Sequence, residues 1–265
     1  MVSTTPTAEQ QSSPTPAEDY RQFVARMVKI ADVEMANTLL NWDKEVYLPT
    51  KGAQRRAQQQ ATLIGIAHDM FTDPEFGRLL TSLYARREQF NAVERCNIEY
   101  THKIYQRDLK YDKAFVERRS RLVSKTFHAW IAAREANDFY HEYAAALEEL
   151  VALKREEAEL RGYTDHPYEA LMDSYEPGAK VADLDVLFKE VRENLVEFVA
   201  ELRAQPEVNN AFLHQHYDKN KQWQYGLKVL ERMGYDFKAG RQDISHHPFS
   251  INMSAKDVRI TTRID

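Results

Sequence analysis

Two arginines near the end of the chain are the first residues whose type and spacing suggest chemistry. Asp257-Val-Arg-Ile-Thr-Thr-Arg-Ile-Asp265 alternates, placing Val258, Ile260, Thr262 and Ile264 on one face and Arg259, Thr261 and Arg263 on the other. At strand rise Arg259 and Arg263 stand about 13 Å apart. A guanidinium fork donates two hydrogen bonds at once, which suits the terminal carboxylate of a peptide. An edge strand can also pair with an extended peptide through its backbone. The plainer alternative is a strand with two solvated arginines. A single short strand is not stable alone, so neighbours are expected.

The nine histidines offer less. A zinc hydrolase shows His-Glu-x-x-His, because two histidines four apart on a helix face one metal while the glutamate activates its water. His141-Glu142 continues Tyr143-Ala144-Ala145, so the second histidine is absent and His141 reads as a helix-surface residue. His214 with His216, and His246 with His247, lie close in sequence without a third ligand at a suggestive distance. There is no glycine-rich phosphate loop, no Gly-x-Ser-x-Gly elbow and no supported cysteine–histidine pair. Adjacent acids such as Glu148-Glu149 and Glu156-Glu157 point about 100° apart on a helix and read as solvated faces.

The elements that carry these residues are mostly helices. With 8 glycines and 9 prolines in 265 residues, the composition is that of an all-α protein long enough to bury a sizeable core. Residues 1–17 read as a disordered tail, 18–239 as the helical region and 240–265 as a loop and strand. Apolar spacing predicts helices over Glu18–Trp42, ending near Pro49, over Gly52–Phe71, and from Pro74 behind an Asp73 cap. Further helices are expected over Asn91–Lys110, Phe115–Ala136, Asp138–Arg161 stopped by Gly162, and Pro167–Tyr175. Two more follow, one capped by Asp183 and reaching Leu202, one over Lys219–Met233; Asn209–Asn220 is left open between loop and short helix.

Charge and cysteine content narrow the function. Thirty-six basic residues are interspersed with 41 acidic ones for a net charge of −5, without the basic tract of a nucleic-acid binder. Cys96 is the single cysteine, which excludes an internal disulfide, fits a reducing compartment such as the cytoplasm, and is expected to face a helical core. No run of 18 apolar residues predicts a membrane span, and the first 17 residues lack the pattern of a secretory signal.

Five stretches in order carry a resemblance. They are Trp42-Asp-Lys-Glu-Val-Tyr-Leu-Pro49, Gly52-Ala-Gln-Arg-Arg-Ala-Gln-Gln59, Pro167-Tyr-Glu-Ala-Leu-Met-Asp-Ser-Tyr-Glu-Pro-Gly178, Gly240-Arg-Gln-Asp-Ile-Ser-His-His-Pro-Phe249 and Asp257-Val-Arg-Ile-Thr261. With them the sequence resembles the M32, or Taq-carboxypeptidase, family of metallocarboxypeptidases. The resemblance implies a zincin-type metallopeptidase of long antiparallel helices, here with the start of a small β-sheet at the C-terminus. It implies a zinc- or cobalt-dependent, usually homodimeric enzyme that releases single residues from peptide C-termini. His247, Pro248 and Phe249 would help shape a deep active-site groove; Asp257, Arg259 and Thr261 would form the strand beside it, with Arg263 next along.

The departure concerns the metal. In the family the His-Glu-x-x-His helix and a downstream glutamate ligand follow soon after this strand, and members are about twice this length; Ile264 also replaces a common aromatic residue. The chain is therefore expected to be an N-terminal half ending before the metal site, with no metal ligands, no cofactor of its own and no activity alone. The alternative is a non-catalytic helical remnant that binds peptides or pairs with a full-length relative.

Overall fold

The computed structural model describes residues 15–264, so most of the expected tail at 1–17 lies outside the described residues. The all-α class holds: ten α-helices precede one three-stranded sheet among the described residues. No helix there is long and apolar enough to cross a membrane. The chain divides into two compact units, residues 1–36 with 62–117, and residues 37–61 with 118–265.

The first unit draws on α1 (Pro16–Val46), α2 (Ala53–Phe71), α3 (Pro74–Ala85), α4 (Ala92–Asp108) and the first residues of α5 (Lys113–Ala136). Asp73 caps α3 by accepting from the Glu75 and Phe76 amides, and Asn91 with Glu94 forms a capping box on α4. The core gathers Phe23, Ile30, Phe71, Phe76, Leu80, Leu83, Ile98 and Tyr105. Burying each such side chain contributes about 1.5–3 kcal/mol. Cys96 is exposed, against expectation. The buried stripe of α4 is Ile98, Thr101 and Tyr105, and a residue two positions from Ile98 points about 200° away from it.

The second unit holds α6 (Phe139–Glu142), α7 (Ala144–Arg161), α8 (Pro167–Met172), α9 (Val181–Arg203) and α10 (Lys219–Arg232), with β1 (Gly240–Ile244), β2 (Ser250–Ser254) and β3 (Asp257–Thr262). The single helix expected over Asp138–Arg161 is broken. Asn137 has φ 50°, Asp138 caps the four-residue α6, and Tyr143 at φ −121° and ψ −30° leaves helical geometry before α7 begins. Asp183 is not the cap of α9 but sits in its first turn; the amide of Val181 is capped instead by the Glu169 carboxylate at 3.0 Å. The open segment before α10 contains a 3-10 turn over Ala211–His214.

Glu157 also departs from the solvated reading, with 1% of its surface exposed. Burial alone would raise its pKa, but Lys154, Arg119 and Arg161 outweigh that and hold it below the usual glutamate value. Their contacts run from 2.7 to 3.1 Å. Removing a partner from such a buried ion cluster typically costs about 3–5 kcal/mol.

The sheet order is β1-β3-β2, with β1 parallel and β2 antiparallel to β3. The alternating segment thus has the neighbours it requires, but as the central strand and not as the edge strand considered for peptide pairing. Both neighbours precede it in sequence. Gly-Arg-Gln-Asp-Ile and Ser-Ile-Asn-Met-Ser are too short and too polar to announce themselves by pattern.

Candidate functional site

Register brings the chemistry-bearing residues of the sheet onto one face. Arg241 pairs with Arg259 and Asp243 with Thr261 across the parallel ladder. Since alternate residues share a face, Arg241, Asp243, Asp257, Arg259 and Thr261 lie together. The end of α1 meets that face. The Trp42 indole lies under both guanidinium groups, 4.3 Å from Arg259 and 5.3 Å from Arg241.

Each arginine fork is already engaged. Arg259 donates to both oxygens of Asp257 at 2.8 and 2.9 Å, and Arg241 to both oxygens of Asp243 at 2.7 and 2.6 Å. The Arg259 bonds hold the Asp257 carboxyl below its usual range. Tyr47 donates to Asp243 at 2.6 Å, and that bond raises the phenol pKa. Trp42 is 5% exposed and its Nε1 has no hydrogen-bond partner in the protein.

The His247–Phe249 loop is fastened to β3 by hydroxyls. Thr261 is 3% exposed; its Oγ1 accepts from the Phe249 amide at 2.9 Å and lies 2.7 Å from the Ser245 hydroxyl. Ser245 in turn donates to the His247 carbonyl at 2.8 Å. The Thr261 amide donates to the Phe249 carbonyl at 2.7 Å. The His247 and Pro248 side chains are left exposed and Phe249 half-buried.

Arg263 lies elsewhere, on the wall of a cavity of about 390 Å³ that also meets Glu45, Trp130, Arg134, Glu135 and His246. Arg134 donates to the His246 carbonyl at 3.0 Å. Burial raises the pKa of Glu45, an effect that Lys44, 3.3 Å away, partly offsets. Two arginines and a perturbed carboxyl in one concavity are the usual ingredients of a binding site for a charged ligand.

Of the seven residues expected here, the structure joins Phe249 to Thr261 and Asp257 to Arg259, and separates Arg263 from Arg259. Sequence reasoning gave no role to Trp42, Tyr47, Arg241, Asp243, Ser245, Glu45 or Arg134. One signal existed for the middle pair: Arg241-x-Asp243 is the reverse of Asp257-x-Arg259, the same i, i+2 ion pair written backwards. Among the described residues no group of three or more His, Cys, Asp or Glu side chains is placed to hold a metal ion. His214, His216, His246 and His247 are all exposed.

Comparison with known proteins bears on the whole arrangement. Carboxypeptidase 1 of Bacillus subtilis is 30% identical over 246 residues, covering 92% of this chain and 49% of that protein. The solved structure "BsuCP Crystal Structure" superposes with a TM-score of 0.89 at 30% identity, over 93% of this chain and 50% of that one. "The Structure of CHT" matches at 46% identity with a TM-score of 0.78, over 94% and 50%. The chain thus spans about half the length of the relatives it matches. Residues 22–265 fit the family described as Carboxypeptidase Taq (M32) metallopeptidase, and with the shared fold this shows that the chain belongs to it.

Proposed function

We propose that these residues form the peptide-holding, metal-free part of a carboxypeptidase, and that the 265-residue chain releases no amino acids by itself. The family is one of metallopeptidases, yet among the described residues no group of three or more His, Cys, Asp or Glu side chains is placed to hold a metal ion. A complete enzyme of this kind would use zinc or cobalt, act as a homodimer in the cytoplasm and remove residues from peptide C-termini. What these residues do is bind and orient. The observation that carries the reading is the junction of the His247–Phe249 loop with β3 through Thr261 and Ser245, beside a cavity walled by Arg134 and Arg263.

In this reading Arg263 and Arg134, which share the wall of the cavity, receive the peptide carboxylate. Asp257, Arg259 and Trp42 keep the strand rigid. Thr261 keeps Phe249 and the backbone around His247 and Pro248 at the mouth of the groove.

A second reading, a non-catalytic chain that pairs with a full-length relative, is favoured by α9. This 23-residue helix buries none of its residues, and Leu195 and Phe198 are 51% and 54% exposed.

The test uses the purified chain, a mixture of peptides, added zinc or cobalt, and a chelator control. No chelator-sensitive release is expected, while a peptide with a free C-terminus shifts the NMR signals of Arg263 and Phe249 and its C-terminal amide does not. Chelator-sensitive release would refute the inactive half; equal shifts with acid and amide would refute the carboxylate site.

A further inference from the structure

A second concavity lies in the same unit, between the start of α2 and the middle of α5, with a volume of about 910 Å³. That is the size of site that takes a small organic ligand. Arg118, Arg121, Lys125 and His128 line it from α5, spaced three, four and three residues apart and hence on one helical face. Arg55 joins them from α2, so the lining holds four permanent cations against one carboxylate, Glu149. Glu149 holds Lys125 at 2.6 and 2.7 Å, and Glu156 holds Arg118 from outside the lining. Like charges at this spacing oppose one another, and an anion among them relieves the repulsion.

Two groups in the wall lack what a ligand can supply. Ser124 is 5% exposed and its Oγ has no hydrogen-bond partner; the same holds for the buried Nε2 of His128. Buried polar atoms are rarely left so, because each loses its water without compensation. Burial, with Lys44 nearby, lowers the His128 pKa, so the ring offers a hydrogen-bonding atom rather than a fifth permanent charge. Of the remaining wall, Ala53, Ala57 and Leu122 are apolar, and Gln54 and Gln58 add polar amides. We infer that this cavity binds a small organic oxyanion, a phosphate or carboxylate group carried on a compact apolar body, with Arg55 and Arg121 meeting the charge and Ala53, Ala57 and Leu122 the body.

The inference does not depend on the carboxypeptidase reading. It is tested on the full chain by NMR titration with phenyl phosphate, 3-phenylpropionate, inorganic phosphate and uncharged benzyl alcohol. The expected result is saturable shifts at Arg121, Ser124 and His128 with the two aromatic anions, weakened at least tenfold in Arg55→Gln and in Arg121→Gln and reduced by added salt. Arg55 is exposed on its helix, so Arg55→Gln keeps the fold even if Arg121→Gln does not. Phenyl phosphate binding alone would assign the site to phosphate esters, and phenylpropionate alone to carboxylates. Inorganic phosphate matching the aromatic anions would overturn the apolar body. Benzyl alcohol binding as well as they do, no saturable shifts, or equal affinity in Arg55→Gln would overturn the oxyanion site.

Discussion

Replacing Thr261 by valine keeps the shape of the side chain and removes one oxygen. That oxygen accepts from the Phe249 amide at 2.9 Å and sits 2.7 Å from the Ser245 hydroxyl, in a residue 3% exposed. The two hydroxyls form a relay in which Thr261 Oγ1 shares one bond with Ser245 and accepts another from the Phe249 amide. Two hydrogen bonds are lost, at about 0.5–1.5 kcal/mol each, and a half-buried amide is left without its side-chain acceptor, for a further kilocalorie or so, giving about 2–4 kcal/mol in all. At about 1.4 kcal/mol per factor of ten, this is roughly a 30- to 800-fold change in the opening equilibrium of the loop. Amide hydrogen exchange reads that equilibrium locally, which suits a chain of two units where one global unfolding energy is not defined. In Thr261→Val the Phe249 amide should lose protection by that factor, while amides of the first unit keep theirs. Thr261→Ser retains the oxygen and should lose tenfold at most. Undiminished protection in Thr261→Val, or equal loss in both variants, would refute the hydroxyl relay as the fastening of the loop.

Three other outcomes follow from the geometry. The Asp257 carboxyl should titrate below its ordinary value near 3.8, so its contribution to the sheet is present above that pH and fades as pH falls through the lower midpoint; Arg259→Gln should bring the NMR midpoint back up, and an unmoved midpoint would sink the pairing argument. Gly240→Ala places a Cβ 2.0 Å from the Val258 carbonyl oxygen, a backbone atom that cannot step aside; a loss of about 1–3 kcal/mol in the hydrogen-exchange protection of the sheet amides is expected, and a neutral result would contradict the close approach of β1 to β3. Leu195→Glu with Phe198→Glu breaks the uncovered stripe of α9 without removing a buried contact, so sedimentation should show less self-association at unchanged helicity; a loss of helicity would mean that the stripe is needed within the chain.

Much of the helical framework was legible because its signals are local. Asp73 before Pro74 starts α3, and Gly162 at φ 73° ends α7. The family motifs were equally legible, since they are words in the chain. Where local signals conflict with partners elsewhere, the reading failed. Lys154 and Arg161 stand three and four residues from Glu157, a spacing that hinted at a buried ion cluster, but the third cation, Arg119, arrives from a helix 38 residues back. Cys96 was assigned to a core that α4 builds from its opposite face.

By itself the sequence determined the all-α class, the family and the strand at Asp257–Thr262, because periodicity and motif order need no knowledge of distant neighbours. Only the tertiary structure decided that this strand is central, that Arg259 is spent on Asp257 and Trp42 while Arg263 faces a cavity, and that Thr261 holds the Phe249 loop. The physical reason is that alternation says which side a residue faces. It does not say what stands there, and the partners of β3 are short polar strands and the end of a helix about 200 residues earlier.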